Sequence, residues 1–413
     1  MNYSTNVCII GAGPGGTTAA LQLAKLGYDC IVVDKAVFPR DKVCGDGLSG
    51  KVSAILDRID PTIIKKFQQQ PYKQNSFGIE FTAPNRRSIQ IPFALNYENN
   101  RHNPRGFVSR RMDFDQFLVQ EIKLQPKISF YEKVDIDTYA VDADGYLITD
   151  SKKNIHIRSK LLIIANGAHS KFAKETAGIK MEPAHHIAGI RAYYENVGEL
   201  HPDGFIELHF IKELLPGYFW IFPLPNGAAN VGLGMHSKVL HTKKINLKKL
   251  LLDTVAKDPV FKKRFAQATL AGNIDGYGLP LGSKERKIYG NRFMLVGDAA
   301  SLIDPFTGEG IGNAMYAGYY AANNAAKAIE QGDFSENILA QYGEDMQRVL
   351  GPELKMSTKL QRLASYPWLF NMLINKAAKS KELRNLMTAM FAEVDVRKKL
   401  ASPLFYFRLL FNR

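Results

Sequence analysis

At 413 residues, 46% of them apolar, the chain can bury a large core in two or three domains, and with no low-complexity tract or internal repeat it is neither disordered nor fibrous. Three cysteines, Cys8, Cys30 and Cys44, cannot all pair, which argues against a disulfide scaffold. The net charge of +14 asks for an anionic partner, but no nucleic-acid motif is present. From Gln341 onward 13 Lys or Arg face 6 Asp or Glu, interleaved with Leu, Phe, Met and Trp, a distribution that suits a membrane surface or a diphosphate better than a duplex.

The first predicted element is the apolar run Val7–Ile10, a buried strand that breaks into a glycine turn and then a helical stretch, Thr17–Leu26. It stands so near Met1 that no secretory leader fits before it, so a cytoplasmic location is expected. Gly11, Gly13 and Gly16 have the spacing at which a strand hands over to a helix against a dinucleotide. Gly11 permits the tight turn, Gly13 removes the side chain that would hold a pyrophosphate away, and Gly16 lets the helix pack on the strand. The anion then meets unpaired backbone N–H groups at the positive end of the helix dipole. Cys30–Val33 reads as a second buried strand ending at Asp34, a carboxylate placed to accept hydrogen bonds from a ribose.

Next comes a charged, glycine-rich loop with Cys44 at its centre. Its run PRDKVCGDGL, Pro39–Leu48, resembles the loop after the second strand in the geranylgeranyl reductase family of flavoproteins. The resemblance implies FAD, with Cys44, Gly45 and Gly47 against the flavin, and it adds Pro14, Gly15, Lys35 and Val134 to the cofactor's contacts. Cys44 is then the candidate catalytic group, although a neutral thiol is a poor proton donor to an alkene. No metal site is expected.

The stretch Phe77–Phe93 alternates and turns at Asn85, a hairpin that opens a second domain. Val108–Leu118 opens a helix, and Arg111 resembles the family's arginine that reaches the FAD from a helix start, with Arg110 a rival for that role. Residues 128–164 read as a meander returning to the parallel sheet. It closes on Asn166–Ser170, where related flavoproteins carry Asp-Gly, so Asn166 departs from the pattern and His169 reads as a turn residue. In Leu214–Leu224 the positions Tyr218, Trp220, Phe222 and Pro223 match the family's aromatic substrate-pocket motif. Residues 241–265 read as a lysine-rich amphipathic helix pair with solvated charges.

The stretch Phe293–Met315 resembles the family most closely. A buried strand runs into Gly297 and Asp298, and a carboxylate at a strand end can hold a sugar-alcohol hydroxyl, which favours the ribityl chain of FAD over NAD. Pro305, Gly308, Gly310 and Ile311 then open a long helix, Asn313–Ile329, whose N-terminus suits the negative charge of reduced flavin. Beyond Gln331 come basic amphipathic helices, ending in SPLFYFRLLFNR, that either cap the substrate domain or lie on a membrane; no apolar run reaches the roughly 20 residues a bilayer span needs.

The expected fold is α/β: a Rossmann-like FAD-binding domain from residues 1–75, 105–180 and 280–332, an antiparallel-sheet substrate domain from 76–104 and 181–279, and a C-terminal helical segment, 333–413. The resemblance implies a reductase that saturates carbon–carbon double bonds of an isoprenoid chain, with NADPH or a reduced electron carrier as external reductant. Alternatives are a flavin-dependent monooxygenase or halogenase of the same fold, and a non-catalytic flavoprotein that carries lipid. The expected partners are a lipid-like isoprenoid and the membrane surface, not nucleic acid.

Overall fold

The computed structural model describes residues 1–95, 97 and 104–392. Its centre is a sheet whose inner strands are near-continuous apolar runs, the pattern of strands buried on both faces. The first strand, Asn2–Ile10, pairs in parallel with His156–Ile164 on one side and Cys30–Val33 on the other. Phe293–Leu295 extends the sheet in parallel beyond His156–Ile164, and Ile128–Tyr131 beyond Cys30–Val33. Ile128–Tyr131 is therefore part of the parallel sheet and not of the expected meander; it alternates because, as an end strand, it buries fewer of its residues. The meander itself is Ile136–Asp142 and Gly145–Asp150, which add antiparallel to His156–Ile164.

The helix after the glycine turn, Pro14–Lys25, starts three residues earlier than the sequence pattern suggests, because Pro14 already supplies a helical φ at the first position. It packs on the long helix Ile311–Gln331 so closely that a Cβ at Gly318 would overlap the Gly15 carbonyl oxygen.

A second sheet of seven strands runs in the order Thr269–Pro280, His186–Glu195, Ala229–His236, Tyr218–Pro223, Ile206–His209, Gly78–Thr82 and Ser88–Pro92. The last two form the hairpin expected over residues 77–93. Every pairing is antiparallel except Ile206–His209 with Gly78–Thr82, strands separated in sequence by the chain's long excursion through the first sheet. A small three-stranded sheet of Gly47–Leu48, Gly106–Ser109 and Lys73–Ser76 joins the two cores: Leu48 and Phe107 pack with the parallel sheet, and Val108 with the second.

Residues 241–265 are not a simple helix pair. Three helices cover the region, Ser237–Lys243, Leu247–Lys257 and Pro259–Arg264, broken at Lys244, which takes a left-handed φ of 51°, and at Asp258, which caps the turn before Pro259. Nor is every charge there solvated: Arg264 is buried and forms a bidentate pair with Glu207 at 2.5 and 2.7 Å.

The C-terminal helices are Glu336–Val349, Gly351–Ala364, Pro367–Lys379 and Lys381–Ala392. The first packs on the parallel sheet, its Tyr342 hydroxyl donating to the Leu295 carbonyl at 2.6 Å. The third caps the second core through Phe370, Ile374 and Ala377, with the Phe370 ring 4.5 Å from that of Phe210. Among the described residues no helix is long and apolar enough to cross a membrane. The basic amphipathic stretch SPLFYFRLLFNR lies outside the described residues.

Candidate active site

The strands Asn2–Ile10, Cys30–Val33, His156–Ile164 and Phe293–Leu295 end on the same side, and their following turns surround a cleft of about 420 Å³. Gly11 has a φ of +106°, and its N–H donates to the Val33 carbonyl at 2.8 Å. Gly13 caps the helix, and a Cβ there would meet only Arg40 Nη2 at 3.7 Å, so its cleft side is open. Gly16 lies beneath the turn, where a Cβ would overlap the Gly11 carbonyl oxygen. Asp34 has a local duty: its two oxygens accept from the Ala12 and Ala36 N–H groups, each at 2.8 Å. A carboxylate has about four acceptor positions, so two remain for a ligand.

Pro14, Gly15, Lys35, Val134, Arg111 and Asp298 also line the cleft. Arg111 and not Arg110 is at this wall; the Arg110 guanidinium lies over the Tyr193 ring, 4.5 Å from its centre. Arg111 is 3% exposed and pairs bidentately with Asp115, both bonds 2.7 Å, and Asp115 also accepts from Arg40 at 2.6 Å. Burial alone would raise the Asp115 carboxyl, but the two guanidiniums hold it below the ordinary value. Asn166 keeps a place in the wall despite its missing charge, and His169 reaches the wall as well as the turn.

The second flavin segment meets the first loop directly. Lys42 Nζ donates to Asp298 Oδ2 at 2.9 Å and lies over the Tyr277 ring. Burial opposes the Lys42 charge, yet Asp298 keeps its pKa above the ordinary value. Arg40, Lys42 and Tyr277 were not singled out from the sequence; the two cations sit in the PRDK run, while nothing near Tyr277 marks it.

Beside the cleft lies a slot of about 150 Å³ with mostly apolar walls. Tyr218, Trp220 and Phe222 alternate along one strand and so face the slot together, whereas Pro223, expected with them, ends the strand outside the lining. Trp220 has room because the facing strand carries Gly232, where a Cβ would overlap the indole. Cys44, Gly45 and Gly47 form another wall, and Pro305, Gly308, Gly310 and Ile311 a third, tied to the aromatic strand by the Tyr218 hydroxyl donating to the Thr307 carbonyl. Residues 40–42 of the loop thus line the cleft and residues 44–49 the slot, making one segment the partition between them.

The start of the helix Ile311–Gln331 is held by polar contacts. Asp304 Oδ1 accepts from the Phe306 and Thr307 N–H groups at 2.9 and 2.8 Å, and Lys51 reaches Asn313 at 2.6 Å and Glu353 at 2.8 Å. Cys44 is a weaker nucleophile than its position suggests: burial pushes its thiol above the ordinary value, leaving it protonated at neutral pH. Two residues later Asp46, fully buried, accepts from the Tyr193 hydroxyl at 2.7 Å and from Asn230 Nδ2 at 2.8 Å, while Asn230 accepts from Trp220 Nε1 at 2.9 Å. Neither Asp46 nor Asn230 carries a signal in the sequence, since Asp46 meets Tyr193 and Asn230 across 147 and 184 residues.

Residues 4–213 match the family model of an FAD-binding domain, and residues 188–272 that of a geranylgeranyl reductase catalytic domain, which contains the aromatic strand of the slot. The chain is 30% identical to the digeranylgeranylglycerophospholipid reductase of Thermoplasma volcanium over 342 residues, 82% of each chain. The chain belongs to the geranylgeranyl reductase family. Like that family it is an FAD-dependent oxidoreductase. Geranylgeranyl reductase relatives match along almost the whole length: digeranylgeranylglycerophospholipid reductase 2 of Methanopyrus kandleri is 27% identical over 416 residues, 96% of each chain. The solved geranylgeranyl bacteriochlorophyll reductase-like protein of Thermoplasma acidophilum superposes with a TM-score of 0.81 at 25% identity, covering 97% of this chain and 99% of that one. The flavin-dependent brominase Bmp2 superposes with a TM-score of 0.76 over 94% of this chain and 93% of its own, but at 19% identity it shares the fold alone.

Proposed function

We propose that the protein saturates carbon–carbon double bonds in a geranylgeranyl-type chain of a lipid or lipid precursor. The observation that carries the reading is the shared partition: the loop Arg40–Ser49 presents cations to a cleft built for a dinucleotide and a greasy wall to the slot behind it. The names of the relatives, digeranylgeranylglycerophospholipid reductases, supply the chemical class of the chain.

The cleft suits FAD on its own features: an open glycine at a helix N-terminus, a guanidinium near that opening, and a carboxylate at the end of a later strand. In this reading Gly13, Pro14 and Gly15 hold the pyrophosphate with Arg40, Asp34 and Lys35 hold the adenosine ribose, and Asp298 with Arg111 and Lys42 hold the ribityl chain. The N-terminus of Ile311–Gln331 and the Cys44–Gly47 backbone border the ring. FAD, once reduced, supplies a hydride. The chain's own share is to hold the alkene flat in the slot between Trp220, Phe222 and the Gly45–Gly47 backbone and to exclude water, orientation that an apolar tail supports at about 0.8 kcal/mol per buried CH₂. Cys44 shapes the wall beside the double bond. The electrons come from NADPH or a reduced carrier protein.

Tyr366 and Trp368, 58% and 67% exposed at the start of the helix that caps the second core, with Lys376 and Lys379 further along it, support contact with an anionic membrane surface where the lipid is met. The test is anaerobic: dithionite-reduced protein is mixed with a geranylgeranyl lipid and the product is weighed by mass spectrometry. Gains of two hydrogens per bond with reoxidation of the flavin are expected; unchanged lipid beside flavin that stays reduced refutes the proposal.

A further inference from the structure

An alkene that takes up a hydride at one carbon needs a proton at the other, and the source of that proton is unassigned. Resting on the reductase reading of the slot, the choice narrows by chemistry. The proton-bearing side chains in its wall include Cys44, Asp46, Tyr218 and Glu309. Burial pushes the Cys44 thiol and the Tyr218 phenol up, and the Tyr218 hydroxyl is already committed to the Thr307 carbonyl. Glu309 is held as an ion partner of Lys51 at 3.7 Å and accepts from the Ser49 hydroxyl.

Asp46 stands apart. It is fully buried in the partition, two residues from Cys44, has a φ of 68° and belongs to the slot's wall. One oxygen accepts from both Tyr193 and Asn230; the other, among the described residues, accepts only a long bond from the Arg111 N–H at 3.3 Å. The charged and titratable groups around it are Arg111 and Arg191, Cys44, and Tyr193, whose ring is covered by the guanidiniums of Arg191 at 4.2 Å and Arg110 at 4.5 Å. Asp41 takes up the charge of Arg191 at 2.6 Å. Burial raises the Asp46 carboxyl to about 6, the donors and arginines restraining it from going higher, so both protonation states are populated near neutral pH.

We propose that Asp46 is the general acid of the slot, delivering the proton that the double bond takes up. The two electrons and the first hydrogen arrive as hydride from reduced FAD; the second hydrogen leaves the Asp46 carboxyl as a proton, and the carboxylate left behind regains one from solvent between turnovers. Asn230 and Tyr193 are positioning residues that fix the carboxyl against the slot.

The test is Asp46→Asn in the FAD-loaded protein. Asparagine tolerates the left-handed φ and can still accept from Tyr193 and Asn230. Two readouts are taken. In infrared titration the wild type is expected to show a protonated-carboxyl band that disappears as pH rises through about 6 and that the variant lacks. In single-turnover reduction of a geranylgeranyl lipid by dithionite-reduced protein, the variant is expected to be about 100-fold slower or worse. The wild-type rate should fall with rising pH above about 6 while the variant's does not, with FAD and lipid affinities kept within about twofold. A variant that keeps the wild-type rate and pH profile, or a wild type without the titrating band, overturns the assignment. The two readings fail separately: wild-type protein that leaves the lipid unsaturated refutes the reductase function whatever the band does, and a missing band refutes Asp46 whatever the turnover.

Discussion

Gly13 and Gly16 belong to one motif, yet their side chains are missing for different reasons, and alanine at each should separate cofactor affinity from stability. At Gly13, with φ −74° and ψ 180°, alanine is unstrained and its methyl meets no protein atom closer than 3.7 Å. The stripped protein should lose less than about 1 kcal/mol, the scale of a weakened helix cap. In the proposed site the methyl projects into the space that the pyrophosphate would enter. Losing one charge-assisted hydrogen bond costs about 1.5–3 kcal/mol, which is roughly a 10- to 150-fold weaker Kd for FAD. At Gly16 the added carbon overlaps the Gly11 carbonyl oxygen and lies 3.0 Å from its carbon, inside the roughly 3.5 Å of a relaxed contact. Helix Pro14–Lys25 must back off its strand, an overpacking cost of about 1–3 kcal/mol that should lower the Tm of the stripped protein by roughly 1–4 °C. Circular dichroism melts of stripped protein and flavin-fluorescence titrations measure the two effects. FAD binding by G13A with wild-type affinity, or a stripped G13A that melts as early as G16A, would refute the assignment of the two glycines.

Gly232→Ala should crowd the Trp220 indole out of its seat, raising KM for a geranylgeranyl lipid about tenfold while leaving FAD affinity unchanged; steady-state kinetics beside a flavin titration checks this, and an unmoved KM speaks against Trp220 as a slot wall. A raised folded-state pKa means that Asp46 contributes stability below its unfolded value near 3.8 and loses it as pH rises through about 6. The difference in unfolding free energy between wild type and D46N should therefore shift by up to about 3 kcal/mol in favour of the variant between pH 4 and pH 7, read from urea melts at each pH.

The parallel sheet was legible because strands buried on both faces must be apolar throughout, as Val7–Ile10, Cys30–Val33 and Leu161–Ile164 are. The first glycine turn was legible through its spacing, which the backbone enforces at Gly11, with its φ of +106°, and at Gly16, where a Cβ would overlap the Gly11 carbonyl oxygen. Ile128–Tyr131 was misread for the opposite reason: a half-buried strand alternates whether its neighbour is parallel or antiparallel, and only the chain's path decides. The helices of residues 241–265 were miscounted because the first of them begins at Ser237 and one left-handed residue, Lys244, breaks a lysine-rich pattern that stays amphipathic on both sides. At the site, Arg111, Asp298 and the aromatic strand stood out through resemblance. Asp46 and Asn230 did not, since a buried hydrogen-bonded pair between distant segments leaves no local period or spacing.

The close seat of Ile311–Gln331 on Pro14–Lys25 has a consequence for synthesis. At bacterial-to-eukaryotic translation speeds of about 5–20 residues per second, the ribosome needs roughly 15–60 s after making the glycine turn before Asp298 emerges. Throughout that interval the nascent amino-terminal segment lacks the helix that covers it and half of the groups around its ligand, so loading can only follow the emergence of Ile311–Gln331, and truncated chains ending before residue 331 should emerge from the ribosome colourless and in need of chaperones.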